Sequence, residues 1–127
     1  MQSLKLSVLP EKYAVWRLSP EEPVPGPVLQ GAGFLSITKT NKELSIVCRE
    51  ELVPEHSVTE SGWRILKVAG PLDFSLTGIL AGLGQPLARQ GISIFALSTY
   101  NTDYLLVKEE KLDATIAVLK GEGHQFL

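Results

Sequence analysis

The chain has 127 residues with a hydrophobic fraction of 44%, which suffices for one ordinary domain or for two very small ones that share a core. Its 12 basic and 14 acidic side chains give a net charge of −2, so we expect neither nucleic acid nor an anionic membrane as a partner. No apolar run approaches the roughly 20 residues that cross a bilayer, and no signal-peptide core opens the chain, which predicts a soluble cytoplasmic protein.

The first half of the chain predicts two β-hairpins. In the first, alternating apolar and polar residues flank Pro10-Glu11-Lys12, a sequence suited to a tight turn. A proline-rich segment follows, and a second hairpin is expected around Thr40-Asn41-Lys42. The predicted strands are residues 4–9, 13–18, 34–38 and 43–48.

A polar segment separates the two halves of the sequence. Residues 49–62 contain Pro54 and end at Gly62, so we expect one short helical turn there before the next strand. This segment divides the chain into a strand-rich, degenerate amino-terminal module at residues 1–61 and a carboxy-terminal module at residues 62–127.

The second half predicts the element order β-α-β-β-α-β. Both helices have apolar residues at helical spacing, and Gly91 stands where a left-handed residue would close the first of them. This order is typical of ferredoxin-like domains, in which both helices cover one face of an antiparallel sheet. Two of the strands are apolar on consecutive positions, which indicates that the other face is also covered. The predicted elements are strand 63–68, helix 75–90, strands 92–99 and 104–108, helix 112–120 and strand 124–127.

Polar residues collect at two turns of this second half. Asp73, Ser75 and Thr77 lie at the predicted helix start, where free backbone N–H groups and the helix dipole favour a carboxylate ligand. The run Thr99-Tyr100-Asn101-Thr102-Asp103 separates two apolar strands and offers a counter-charge for an amine.

Each of these residues also has a purely structural interpretation. Asp73 can serve as a helix cap, Asp103 as the acid of an Asx-turn, and Tyr100 as an exposed turn aromatic. Gly78 falls inside the predicted helix, where glycine is unfavourable, so close approach of a ligand or another backbone is one explanation for it.

No residue pattern indicates catalysis, a metal or a cofactor. Cys48 is the only cysteine, and its alternating strand context favours a buried hydrophobe over a nucleophile. His56 and His124 lack the spacing of metal ligands, and no glycine-rich phosphate-binding motif is present. We therefore expect a protein that is not an enzyme.

Residues 34–48, 62–88 and 91–108, the last of which contains STYNTDYLLV, resemble the ACT-domain superfamily. They are most similar to bacterial tandem-ACT proteins related to the animal cytosolic arginine sensor. The resemblance implies an α+β fold of tandem ferredoxin-like βαββαβ modules. It also implies a non-catalytic regulatory protein that holds an amino acid between two modules. The sensor has four modules and this chain is half that length, so an equivalent arrangement requires a homodimer.

The resemblance further implies a set of ligand-binding residues. They come from the loop and helix start, an early strand and the end of that strand, and are Asp73, Phe74, Ser75, Leu76, Thr77, Gly78, Ile79, Ser93, Ile94, Thr99, Tyr100, Asn101, Thr102 and Asp103. One alternative is an ACT-like structural or protein-interaction dimer without a ligand. Another is a small acyl-phosphate hydrolase on the same scaffold, but the sequence lacks an arginine-rich phosphate loop and an acid–base pair.

Overall fold

The computed structural model describes residues 3–73 and 76–127. The chain divides into two compact units, one formed by Glu11–Trp63 and the other by the residues up to Pro10 together with Arg64–Leu127. The strands are β1 Lys5–Val8, β2 Tyr13–Leu18, β3 Ser36–Lys39, β4 Leu44–Arg49, β5 Val58–Val68, β6 Phe95–Ser98, β7 Asp103–Lys108 and β8 Gln125–Phe126. The helices are α1 Gly26–Gln30, α2 Ile79–Arg89 and α3 Leu112–Gly121, with 3₁₀ turns at Glu50–Leu52 and Glu109–Lys111.

In the unit Glu11–Trp63 the strand order is β3-β4-β2-β5, to which β5 contributes its first half. The second half of β5, from Arg64, belongs to the other unit. Strands β3 and β4 pair antiparallel, which confirms the predicted second hairpin. The core centres on Trp16 and Ile46, and Val28 of the short helix α1 packs with them. The Trp16 indole N–H donates to the Cys48 sulfur at 3.2 Å, and Cys48 is buried as predicted. Burial raises the pKa of the Cys48 thiol, as expected for an unreactive core cysteine.

In the other unit the strand order is β6-β7-β5-β1-β8, and α2 and α3 pack on the sheet. Leu66 and Val68 of β5 and Leu105 and Val107 of β7 point to these helices because alternate residues share one face of a strand. Their helix partners are Leu83, Leu87 and Leu119. This α+β arrangement, with helices on one face of a mainly antiparallel sheet, confirms the predicted fold class.

Strand β1 does not form the predicted hairpin with β2. It pairs antiparallel with β5 and parallel with β8, whereas β2 pairs with β4 and β5. Leu4 and Leu6 are only 5% and 1% exposed, because they complete the core under α2 and α3. Alternation predicted both strands correctly, but it carries no information about which strand pairs with which.

Helix α2 is shorter than predicted and begins at Ile79 rather than residue 75. Gly78 precedes the helix with φ 77°, so the prediction that it lies inside the helix was wrong, and Asp73 lies outside the first turn. The other end agrees with the prediction. Gly91 has φ 72°, and the Ile92 and Gly91 N–H groups donate to the Leu87 and Ala88 carbonyls at 3.0 Å each, which is a Schellman motif.

Two further strand boundaries differ from the prediction. Strand β5 begins at Val58 rather than at residue 63, and it accommodates Gly62 at φ 79°. Strand β6 begins at Phe95 rather than at residue 92. The expected double burial is found in β7, where three consecutive residues, Leu105, Leu106 and Val107, are fully buried. It is absent from β6, whose residues alternate between partly buried and exposed, so the prediction for that strand was wrong. Among the residues that the structure describes, no helix is long and apolar enough to span a membrane.

Candidate ligand-binding cleft

Residues from both polar turns singled out in the sequence line one cleft in the unit that contains Arg64–Leu127 and the residues up to Pro10, called the carboxy-terminal unit below. The cleft has a volume of ≈ 360 Å³ and lies between the segment linking β5 to α2 and the β6–β7 hairpin. Its described lining residues are Leu72, Asp73, Leu76, Gly78, Ile79, Leu80, Ala81, Ser98, Thr99, Tyr100, Asn101, Thr102 and Asp103.

The hairpin wall is organised around Asp103. The Thr99 N–H donates to the Thr102 carbonyl at 2.9 Å, which closes the turn and sets Ser98 opposite Asp103 across the two strands. The Ser98 hydroxyl donates to Asp103 Oδ1 at 2.7 Å. This charge-assisted hydrogen bond orients the carboxylate at the end of the strand. Tyr100 at the tip is 80% exposed, in agreement with its interpretation as a turn aromatic.

The opposite wall contains the amino-terminal end of α2. Ile79, Leu80 and Ala81 are its first residues, and the first helical hydrogen bond is donated by the Gly82 N–H to the Gly78 carbonyl at 2.8 Å. The N–H groups of the first turn have no partner within a helix. Gly78 has no side chain with which to cap them, so this wall presents N–H donors and the positive end of a helix dipole.

The charges of the cleft favour a ligand with a cationic group. Asp73 and Asp103 are the charged residues of the described lining, and no lysine, arginine or histidine is among them. A carboxylate fits the helix end, and an ammonium or guanidinium group fits near Asp103. A zwitterionic ligand requires both an anion-binding and a cation-binding group, and the start of α2 and Asp103 supply these on opposite walls.

The structure brings together nine of the residues predicted to bind the ligand. These are Asp73, Leu76, Gly78, Ile79, Thr99, Tyr100, Asn101, Thr102 and Asp103. Thr77, Ser93 and Ile94 are not among the lining residues, and Ile94 packs against the core under α2. Phe74 and Ser75 lie outside the described residues.

Four lining residues were not predicted from the sequence: Leu72, Leu80, Ala81 and Ser98. The pairing register of the β6–β7 hairpin could have identified Ser98, because the residue opposite Asp103 must lie beside it. Leu80 and Ala81 line the cleft because α2 begins later than predicted, which places the free N–H groups of its first turn at these residues. Within the described part of the chain, no group of three or more His, Cys, Asp or Glu residues could hold a metal ion.

A model of the ACT domain family matches residues 58–121. The chain belongs to the ACT-domain family. The matched region includes β5, α2, β6, β7 and α3, and therefore both walls of the cleft. A second family model, for an N-terminal domain, matches residues 11–56 of this ACT protein.

Relatives agree with this assignment. The cytosolic arginine sensor for mTORC1 subunit 1 of Bos taurus is 33% identical over 100 residues, which cover 70% of this ACT protein and 30% of the sensor. A crystal structure of a protein from Agrobacterium tumefaciens is 39% identical, with a TM-score of 0.92 over 100% of this chain and 94% of that one. The regulatory subunit of aspartate kinase from Thermus thermophilus shares the fold at 9% identity, with a TM-score of 0.64 over 91% of this chain and 95% of that subunit.

Proposed function

We propose that this protein is a non-catalytic, cytoplasmic regulatory module that binds a free amino acid in the cleft of its carboxy-terminal unit. A module of a second copy of the chain covers the ligand, so that binding shifts an assembly or partner equilibrium. The observation that carries the proposal is the cleft itself, in which the described residues supply two carboxylates and a helix start without any basic side chain.

Each end of an amino acid has a matching group in the cleft. The α-carboxylate lies at the N–H groups that open α2, and a cationic group of the ligand lies against the Asp103 carboxylate that Ser98 orients. L-arginine is the first ligand to test, because its guanidinium group is planar and pairs with carboxylates through two hydrogen bonds. The name of the bovine relative, a cytosolic arginine sensor, supports the same choice.

Isothermal titration of the whole chain with each of the twenty amino acids tests this function. We expect L-arginine to bind and L-glutamate not to bind, since the side-chain carboxylate of glutamate would meet the Asp103 carboxylate. Asp103→Asn keeps the size of the side chain but removes its charge. A lost charge-assisted hydrogen bond should weaken arginine binding by about tenfold or more.

Asp113→Asn is the matched control. Asp113 lies on the exposed side of α3 and is not among the cleft residues, so its substitution should leave the arginine affinity unchanged. Absence of binding by any amino acid at millimolar concentration would contradict the proposal that the cleft binds an amino acid. An equal loss of arginine affinity in the Asp103 and Asp113 variants would show that Asp103 is not part of the site.

A further inference from the structure

The two walls of the cleft are joined to each other by two hydrogen bonds, one of which is buried. We propose that Thr102 is a positioning residue that holds the β6–β7 hairpin against the segment after β5, and that Gly70 provides the space for this contact. We call its two hydrogen bonds, from Thr102 to Val68 and from Leu72 to Asn101, the lock. The consequence for binding rests on the function proposed above, but the lock itself is a property of the ligand-free protein.

The first bond of the lock is made by the Thr102 side chain. Thr102 is only 3% exposed, and its hydroxyl donates to the carbonyl of Val68, the last residue of β5, at 2.7 Å. Thr102 is thus one of few buried polar side chains among the described residues. Because its one hydroxyl proton is given to the protein backbone, Thr102 holds the wall in place and does not donate to a ligand.

The second bond lies on the other side of Gly70. The Leu72 N–H donates to the Asn101 carbonyl at 2.7 Å, so that Val68 and Leu72 are each bonded to the hairpin. A Cβ atom at Gly70 would lie 3.0 Å from the Asn101 carbonyl oxygen and 3.0 Å from the Thr102 Cβ. An alanine at residue 70 would therefore force the hairpin to move away by a few tenths of an ångström.

The lock determines the separation of the groups that a ligand has to bridge. Asp73 directly follows the bonded Leu72, and Asp103 directly follows Thr102, so both acids of the cleft are adjacent to locked residues. A ligand site loses affinity when its groups are displaced by even a fraction of an ångström. The lock keeps the walls in the binding geometry before a ligand arrives, which lowers the ordering cost of binding.

Three variants test this role. Thr102→Val has nearly the same shape but no hydroxyl, Thr102→Ser keeps the hydroxyl, and Gly70→Ala places a methyl group against the hairpin. Amide hydrogen exchange at Leu72 reports on the lock without a ligand, and titration with L-arginine reports on binding. Thr102→Val and Gly70→Ala should each increase Leu72 exchange by about tenfold and weaken arginine binding by about fivefold or more.

Thr102→Ser should keep the Leu72 exchange rate and the arginine affinity within about twofold of the wild type, because serine retains the hydroxyl that donates to Val68. Exchange at Leu105 and Leu119, in the core of the same unit, should not change in any variant that folds. Equal acceleration at Leu72, Leu105 and Leu119 would mean a general loss of stability and would overturn the positioning role.

The binding function and the lock can fail separately. If the wild type binds no amino acid but Thr102→Val still accelerates exchange at Leu72 alone, the proposed function is wrong and the lock stands. If the wild type binds arginine and Thr102→Val changes neither Leu72 exchange nor affinity, the lock is wrong and the function stands.

Discussion

At the scale of single residues, Gly78 shows how one backbone conformation prepares the cleft. Its φ of 77° is in the left-handed region, and an added Cβ would meet no atom within 4 Å among the described residues other than its two chain neighbours. The preference for glycine at residue 78 is therefore conformational, whereas the constraint at Gly70 is a close contact.

Gly78→Ala should consequently destabilise the start of α2 by about 1 kcal/mol, the usual cost of an L-residue with positive φ. Gly84→Ala is the matched control in the interior of α2, where its Cβ would lie at ordinary contact distance, 3.4 Å, from Ile94 Cδ1. Alanine there should stabilise the helix by up to about 1 kcal/mol because its helix propensity is higher. Hydrogen exchange at Leu83 and Leu87 measures both, and changes of the same sign would refute the conformational argument.

At the scale of elements, His124, between α3 and β8, holds the residue that precedes β1. The Leu4 N–H donates to His124 Nδ1 at 3.1 Å, and His124 is only 3% exposed. Its Nε2 is buried without a hydrogen-bond partner among the described residues. Burial lowers the pKa of His124, an effect that the nearby Glu122 carboxylate opposes only in part.

The lowered pKa predicts that stability decreases in acid. Below the ordinary histidine value of 6.5 the unfolded chain binds a proton that the folded chain excludes, so unfolding becomes easier as the pH falls. The stabilisation is complete above pH 6.5 and is lost between pH 6.5 and the lower folded value. The protection factors of the Leu6 and Val68 amides, which correct for the pH dependence of intrinsic exchange, should decrease over this range, since these residues are paired in β1 and β5.

His124→Asn provides the control for this titration. Its amide oxygen can take the place of Nδ1 as acceptor for the Leu4 N–H, but it does not titrate. The variant should show a flatter pH dependence of stability than the wild type between pH 7.5 and pH 5. An unchanged slope in His124→Asn would exclude His124 as the source.

At the scale of the whole molecule, each unit contains a β-hairpin followed by a 3₁₀ turn, but the two hairpins differ in the charge of the residue that begins their second strand. In each unit a six-residue strand, β4 or β7, is followed directly by a 3₁₀ turn. The hairpin registers place Leu44 opposite Lys39 and Asp103 opposite Ser98, which makes Leu44 the counterpart of Asp103. Leu44 is buried in a hydrophobic core, so we expect one ligand per chain.

Sedimentation equilibrium with and without L-arginine tests the assembly, and isothermal titration gives the number of ligands per chain. The exposed apolar residues Leu76 and Tyr100 border the cleft, and covering them with a second copy removes apolar surface from water. Arginine should therefore shift the 13.9 kDa chain toward a dimer, with one arginine bound per chain. A dimer that is insensitive to every amino acid would favour the alternative of a protein-interaction module without a ligand.

The sequence by itself determined the features that depend on neighbouring residues. Alternation and helical spacing identified the β-α-β-β-α-β order, Gly91 identified the end of α2, and the polar run ending at Asp103 identified one wall of the cleft. These signals are local, because periodicity and turn chemistry act over a few residues.

Only the tertiary structure decided which strand β1 pairs with, where α2 begins and what Thr102 does. The bond between Leu4 and His124 joins residues 120 positions apart, and the bond between Thr102 and Val68 joins residues 34 positions apart. Such pairings depend on how complete elements pack, and the sequence pattern within each element is compatible with several partners. The order of elements is therefore encoded locally, whereas the geometry of the cleft results from packing.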